Sequence, residues 1–169
     1  MLIIREESAD DVFGIQWVNA EAFETTAEAE LVDELRENDA IAVSLVADLD
    51  GRLVGHILFS EVAIGSQPYS LLTLGLAPMA VLPEMQKRGI GAMLVREGLE
   101  FCRREGTEVV VVLGHPEFYP RFGFEPAIKH GITYGDNIPG DVFMAIELVP
   151  GALDRYSGEV HFQPEIEGM

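Results

Sequence analysis

The chain is poor in cysteine and in positive charge. Cys102 is its single cysteine among 169 residues, so no intramolecular disulfide can form, and a reducing cytoplasm is the expected setting. Lysine and arginine number 11 against 29 acidic residues, a formal net charge of −18. That balance argues against wrapping nucleic acid by general electrostatics and against an anionic membrane surface. Long apolar runs are missing too. Met1-Leu2-Ile3-Ile4 stops at Arg5-Glu6-Glu7, far short of the roughly 20 residues a span requires, so neither a membrane segment nor a secretory leader is expected. His56, His115, His130 and His161 are scattered and offer no zinc-ligand spacing, so no metal is expected. There is no Gly-x-Ser-x-Gly elbow, no Walker loop and no dinucleotide fingerprint. Internal repeats, low-complexity tracts and long linkers are absent as well.

What is present suits one compact domain. Apolar residues make up 48% of the 18.6 kDa chain, ample for a single core. We read residues 1–150 as the domain proper and 151–169 as a short C-terminal extension of it. The most informative stretch is 76–92. Leu76 to Leu82 is apolar and suits a buried strand, while Pro78 within it cannot donate to a sheet ladder and so marks a bulge or an unpaired edge. Pro83 ends the strand, and Gln86-Lys87-Arg88-Gly89-Ile90-Gly91 opens a helix. A helix N-terminus presents unpaired N–H groups and partial positive charge. Glycines there let a ligand approach the backbone, and Lys87 and Arg88 add formal charge. This pattern fits a phosphate or pyrophosphate site; it also fits a plain surface turn.

The rest of the chain reads as follows. Leu2–Arg5 forms a first strand, and Ser8 caps a helix over 9–22. Thr26 caps a second helix carrying Leu31, Val32 and Leu35. Ala40–Asp48 and Arg52–Ile64 are hairpin strands, with Gly55 marking a bulge, and Ser70–Leu82 is the long central strand. The helix after Gly89 runs to about Arg104 with Ile90, Leu94, Val95, Gly98, Phe101 and Cys102 on one arc, so Cys102 reads as packing rather than as a nucleophile. Glu108–Leu113 is a buried strand parallel to its predecessor. Pro116 suits the first position of a short helix to Phe122 closed by Gly123. Phe143–Val149 is a further strand, and Glu159–Phe162 a small one.

Two segments together carry a resemblance. Met79-Ala80-Val81-Leu82-Pro83 followed by Gln86 to Gly91 is similar to motif A of the GNAT superfamily of acyl-CoA-dependent N-acetyltransferases. Gly114-His115-Pro116-Glu117-Phe118-Tyr119-Pro120-Arg121-Phe122-Gly123-Phe124 resembles the second cofactor segment, with its Tyr-x-x-x-Gly-Phe ending. The wording around His115 and Tyr119 is most similar to the YhbS-like subgroup. The resemblance implies an α+β fold, a three-layer α/β/α arrangement whose mixed, mostly antiparallel twisted sheet splays between its central parallel strands. It implies acetyl-CoA as co-substrate, held by Met79, Ala80, Val81, Gln86, Lys87, Arg88, Gly89, Ile90, Gly91 and Ala92. It also implies a primary amine of a small molecule or peptide as acceptor.

The chemistry then has defined needs. A polariser of the thioester carbonyl fits the Val81 backbone N–H. Tyr119 matches the family's general acid, a phenol protonated at neutral pH; packing beside Phe118 and Phe122 is the other reading. Glu30, Glu61 and His115 are candidate bases, and a water chain could serve instead. Residues 1–39 hold twelve acids against Arg5 and Arg36, which would favour a cationic acceptor. A silent acyl-CoA-binding sensor or assembly module is the alternative function, a longer acyl donor is a variant of the first, and self-association into a homodimer stays open.

Overall fold

A computed structural model describes residues 1–169. The elements in chain order are β1 (Leu2–Glu6), α1 (Val12–Ala22), α2 (Ala27–Glu37), β2 (Val43–Leu49), β3 (Arg52–Ile64), β4 (Gln67–Val81), α3 (Ile90–Arg104), β5 (Val109–Leu113), β6 (Glu125–Pro126), β7 (Ile132–Thr133), β8 (Phe143–Glu147), β9 (Gly158–His161) and α4 (Pro164–Glu167). The main sheet runs β1-β2-β3-β4-β5-β8-β6, with β9 paired to β3 and to β7. Along that main path every neighbour is antiparallel except β4 and β5. This is the α+β arrangement expected.

Register explains the three layers. Leu45 faces Ile57 and Val43 faces Phe59, while Val46 faces His56 and Ser44 faces Leu58. Paired residues share a face and successive residues alternate. The Leu45/Ile57/Phe59 face packs under Leu94, Val95 and Cys102 of α3. Val46 and Leu58 meet Ile15 of α1 and Leu31, Val32 and Leu35 of α2. With helices on both faces, central strands are buried on both sides and read as continuous apolar runs. The C-terminal residues add Leu153, Tyr156, Val160 and Phe162 to a third cluster with Val62 and Val109.

Local departures have physical reasons. The first helix opens with a 3-10 turn over Ala9–Asp11 before α1 begins. Thr26 precedes α2 without a side-chain bond to its backbone; its hydroxyl donates to Glu30 Oε1 instead (3.1 Å). The bulge expected at Gly55 lies beside it, because Ala47 pairs Gly55 and Asp48 pairs Leu53, leaving Val54 extra. On α3, Leu99 is buried and Phe101 only half-buried, with the Arg104 guanidinium 6.0 Å from its ring. Cys102 is fully buried, which pushes its thiol up to about 12, as packing requires. The helix expected from Pro116 is instead a turn followed by a 3-10 helix over Tyr119–Phe122. Pro120 lacks the N–H that an α-helix would direct to Pro116, and its ring would clash with that carbonyl.

Candidate active site

The site begins where two strands part. β4 and β5 pair only through Thr73–Val109, Leu74–Val110 and Gly75–Val111. Beyond Gly75 they diverge. On the other side of β4, Phe59 pairs Leu76 and Ile57 pairs Met79, so Ala77 and Pro78 stand opposite Leu58 alone. That is the bulge anticipated from Pro78, and the Ala77–Pro78 peptide is cis. Past it, the Leu82 N–H donates to the Val54 carbonyl (2.9 Å). Backbone groups alternate sides along a strand, so those of Met79 and Val81 point away from β3, into the gap left by β5. The Val81 carbonyl accepts from Gln86 Nε2 (3.0 Å), while its N–H stays directed at the gap.

Gln86 thus braces the loop, since its backbone N–H is also used, donating to Pro83 (3.3 Å). The following residues are different. Lys87 and Gly89 adopt positive φ, 64° and 83°, and the first bond of α3 runs from Met93 N–H to Gly89 (3.0 Å). The N–H groups of Lys87, Arg88, Gly89, Ile90, Gly91 and Ala92 have no backbone acceptor. Six consecutive free donors at the positive end of a 15-residue helix form a concavity of the kind that suits an anion. A β-carbon on Gly89 would meet nothing within 4 Å, so the space above the loop is open.

One cavity of about 690 Å³ joins the gap to the loop. Nine of the ten residues expected to hold a cofactor line it: Met79, Ala80, Val81, Gln86, Lys87, Gly89, Ile90, Gly91 and Ala92; Arg88 does not. His115 lines it as well, whereas Tyr119, Glu30 and Glu61 do not. Glu30 is exposed and turned to Thr26. Glu61 borders a separate space with Tyr69 and Gln163.

Tyr119 lies just behind the cavity wall formed by Phe118. Its ring is buried, edge-on to Phe118 (5.0 Å) and Phe124 (5.5 Å). It rests on bare backbone at Gly114, where a β-carbon would stand 2.5 Å from Cε2. Burial pushes the phenol up to about 12, so it is protonated at neutral pH. The packing and general-acid readings of Tyr119 are therefore compatible.

Sequence reasoning missed several wall residues: Ala22 and Phe23 at the end of α1, Met85, Phe118 and Arg121. No local pattern brings α1 to the β4 edge. It also passed over a buried polar trio. His56 is fully buried on β3, with Nδ1 3.1 Å from Asn19 Nδ2 and Nε2 2.9 Å from Ser44 Oγ. Asn19 Nδ2 also donates to the Ile15 carbonyl (3.0 Å), which orients the amide and makes His56 Nδ1 the acceptor. Desolvation pulls the imidazole down to about 4, against an opposing pull from Glu7. The trio pins α1, whose next turn carries Ala22 and Phe23, to the sheet.

Comparison with known proteins agrees with this geometry. The model of the acetyltransferase (GNAT) family matches residues 9–124. The uncharacterized N-acetyltransferase YhbS of Escherichia coli K12 is 36% identical over 162 residues, 95% of this chain and 96% of that protein. The N-acetyltransferase YjhQ of the same strain is 44% identical over 118 residues, 69% of this chain; the chain spans 65% of that protein. Among solved structures, Escherichia coli YhbS in complex with CoA superposes with a TM-score of 0.93 at 34% identity, over 98% of this chain and 92% of that one. A Brucella melitensis GNAT acetyltransferase in complex with acetyl-CoA gives 0.81 at 34% identity, over 98% of both chains.

Proposed function

The chain belongs to the acetyltransferase (GNAT) family, and we propose that it moves an acetyl group from acetyl-CoA to a primary amine by direct attack on the thioester. The observation that carries this reading is the run of six free N–H groups, Lys87 to Ala92, of which all but Arg88 belong to residues lining the same cavity as the unpaired edge of β4. The N–H run suits a diphosphate. The β4 edge at Met79–Val81 suits the amides of the pantetheine arm, which it would bond as an added strand does.

Each residue then has a task. The Val81 N–H donates to the thioester oxygen as negative charge grows there. The amine, mostly cationic at neutral pH, gives up a proton, and His115 is the candidate base that shares the cavity. The C–N bond forms and the C–S bond breaks. Tyr119 supplies a proton to the departing thiolate, and the second proton, released by the nitrogen as it becomes an amide, restores the phenol through water. For the acceptor we propose a cationic amine of a small molecule or peptide. Of the twelve acids before Ala40, Glu7 and Asp11 are engaged by Arg36 and Arg5, and Asp33 by Gln16. Glu21 and Glu24 stay exposed beside Ala22 and Phe23 at the cavity.

A second reading, cofactor holding without turnover, draws on one observation: Tyr119 stands behind the wall rather than on it. Titration calorimetry with acetyl-CoA and thiol release across a panel of amines separate the two. Binding with amine-dependent release supports transfer. Tight binding with no release on any amine supports the silent module, and no binding removes both.

A further inference from the structure

We propose that Arg121, with Arg96 beside it, binds the 3′-phosphate of the acyl-CoA donor and so discriminates CoA thioesters from their 3′-dephospho forms. This rests on the reading above that the cavity takes a CoA thioester. Facing 29 carboxylates, five of the 11 lysines and arginines pair with an acid: Arg5, Arg36, Arg52, Arg103 and Arg155. Arg121 and Arg96 form no ion pair, though both border a groove of about 390 Å³ that contains two glutamates. Those glutamates are already occupied: Glu100 pairs with Arg103, and Glu147 accepts the N–H groups of Gly151 (3.0 Å) and Leu153 (3.1 Å).

What holds the two arginines is aromatic. The Arg121 guanidinium lies 5.5 Å from the Phe118 ring centre, Phe118 packs edge-on to Phe122 at 5.1 Å, and Arg96 lies 5.2 Å from the Phe122 ring centre. Stacking fixes a planar guanidinium yet leaves its N–H donors free. Arg121 also lines the main cavity, so it stands where the cavity and the groove meet. The free N–H run accounts for a diphosphate. A CoA ester carries one further phosphate, a monoester close to dianionic at neutral pH, and a forked guanidinium matches its oxygens. Lys87 serves the loop end, leaving the stacked pair for this second anion.

The test is calorimetric binding of acetyl-CoA and acetyl-3′-dephospho-CoA to the wild type, Arg121→Gln, Arg121→Lys and Arg96→Gln, each checked by a melting curve. Charge-assisted contacts are worth about tenfold to a hundredfold. Both arginines are solvent-exposed, so about tenfold is expected for the wild-type preference. Arg121→Gln should lose that preference by weakening acetyl-CoA alone, Arg96→Gln should lose part of it, and Arg121→Lys should fall between. Equal wild-type affinity for the two ligands overturns the proposal while leaving the CoA site intact. So does an Arg121→Gln variant that weakens both ligands alike, since its contact would then lie on their shared part. A wild type that binds neither ligand takes down the transferase reading as well.

Discussion

Gly114→Ala should slow turnover by displacing Tyr119, without touching either reactant. The added β-carbon would stand 2.5 Å from Tyr119 Cε2 and 3.1 Å from Cδ2. Ordinary contact begins near 3.4 Å, so the ring must retreat by roughly 0.9 Å, and it is hemmed in by Phe118 and Phe124. The phenol hydroxyl moves with the ring. A displacement near 1 Å in a reacting group costs about 10²-fold, and forcing a methyl into a packed site costs about 1–3 kcal/mol of stability. Gly114 has no positive φ, so alanine adds the contact and little backbone strain. The measurements are kcat by thiol release, Kd for acetyl-CoA and a melting curve, on Gly114→Ala, Tyr119→Phe and the double variant. If both substitutions act through the Tyr119 hydroxyl, the double variant is no slower than Tyr119→Phe. Losses that multiply, or a folded Gly114→Ala with wild-type kcat, would refute the reasoning.

Other expectations follow from the same geometry. Tyr119→Phe should keep its melting temperature, because the hydroxyl donates to no protein group in the structure, and lose on the order of 10²-fold in kcat; near-normal kcat in steady-state kinetics returns Tyr119 to packing alone. Gly89→Glu should weaken acetyl-CoA on the order of 10²-fold or more, since it puts a carboxylate over the free N–H run and strains a φ of 83°; unchanged calorimetric affinity in a folded variant would remove the pyrophosphate assignment. His56, held near 4 when folded and free to titrate near 6.5 when unfolded, contributes stability that is complete above pH 6.5 and lost as pH falls toward 4. By pH 5 about 2 kcal/mol should be gone, while Asp11, lowered by its Arg5 contact, and Glu7, where burial is outweighed by hydrogen bonds and charge led by Arg36, stay ionised. Denaturant melts at pH 7 and 5 should show that loss in the wild type and not in His56→Gln, and equal slopes would exclude His56 as the group.

The trio around His56 shows how a remote polar group can shape the site. A fully buried imidazole between Asn19 and Ser44 ties α1 to β2 and β3 by directional bonds, where apolar packing alone would let the helix slide. Ala22 and Phe23 at the end of α1 line the cavity together with the α3 loop, so the placement of α1 contributes to its shape.

Local physics made part of this molecule legible in one dimension. The span of β3 from Arg52 to Ile64, the bulge at Pro78, the N-terminus of α3 at Ile90 and the burial of Cys102 depend on nearest neighbours. Proline without an N–H, glycine free of a β-carbon and a repeat of 3.6 residues act over a few positions, and the sequence displays them. The matching pair of segments carried the family for the same reason, since backbone ligation needs a fixed local spacing. Other features needed the tertiary structure. That the Val81 N–H looks into open space depends on β5 leaving β4 after Gly75 and Val111, a pairing between residues 36 positions apart. Gln86 turns back to the Val81 carbonyl, Glu30 turns to Thr26, and Glu61 borders another space. The Tyr119 ring meets Gly114, and Arg121 stays unpaired among many acids. Side chains settle these matters by competing for partners brought close in space, and a chain read in order holds no record of that proximity.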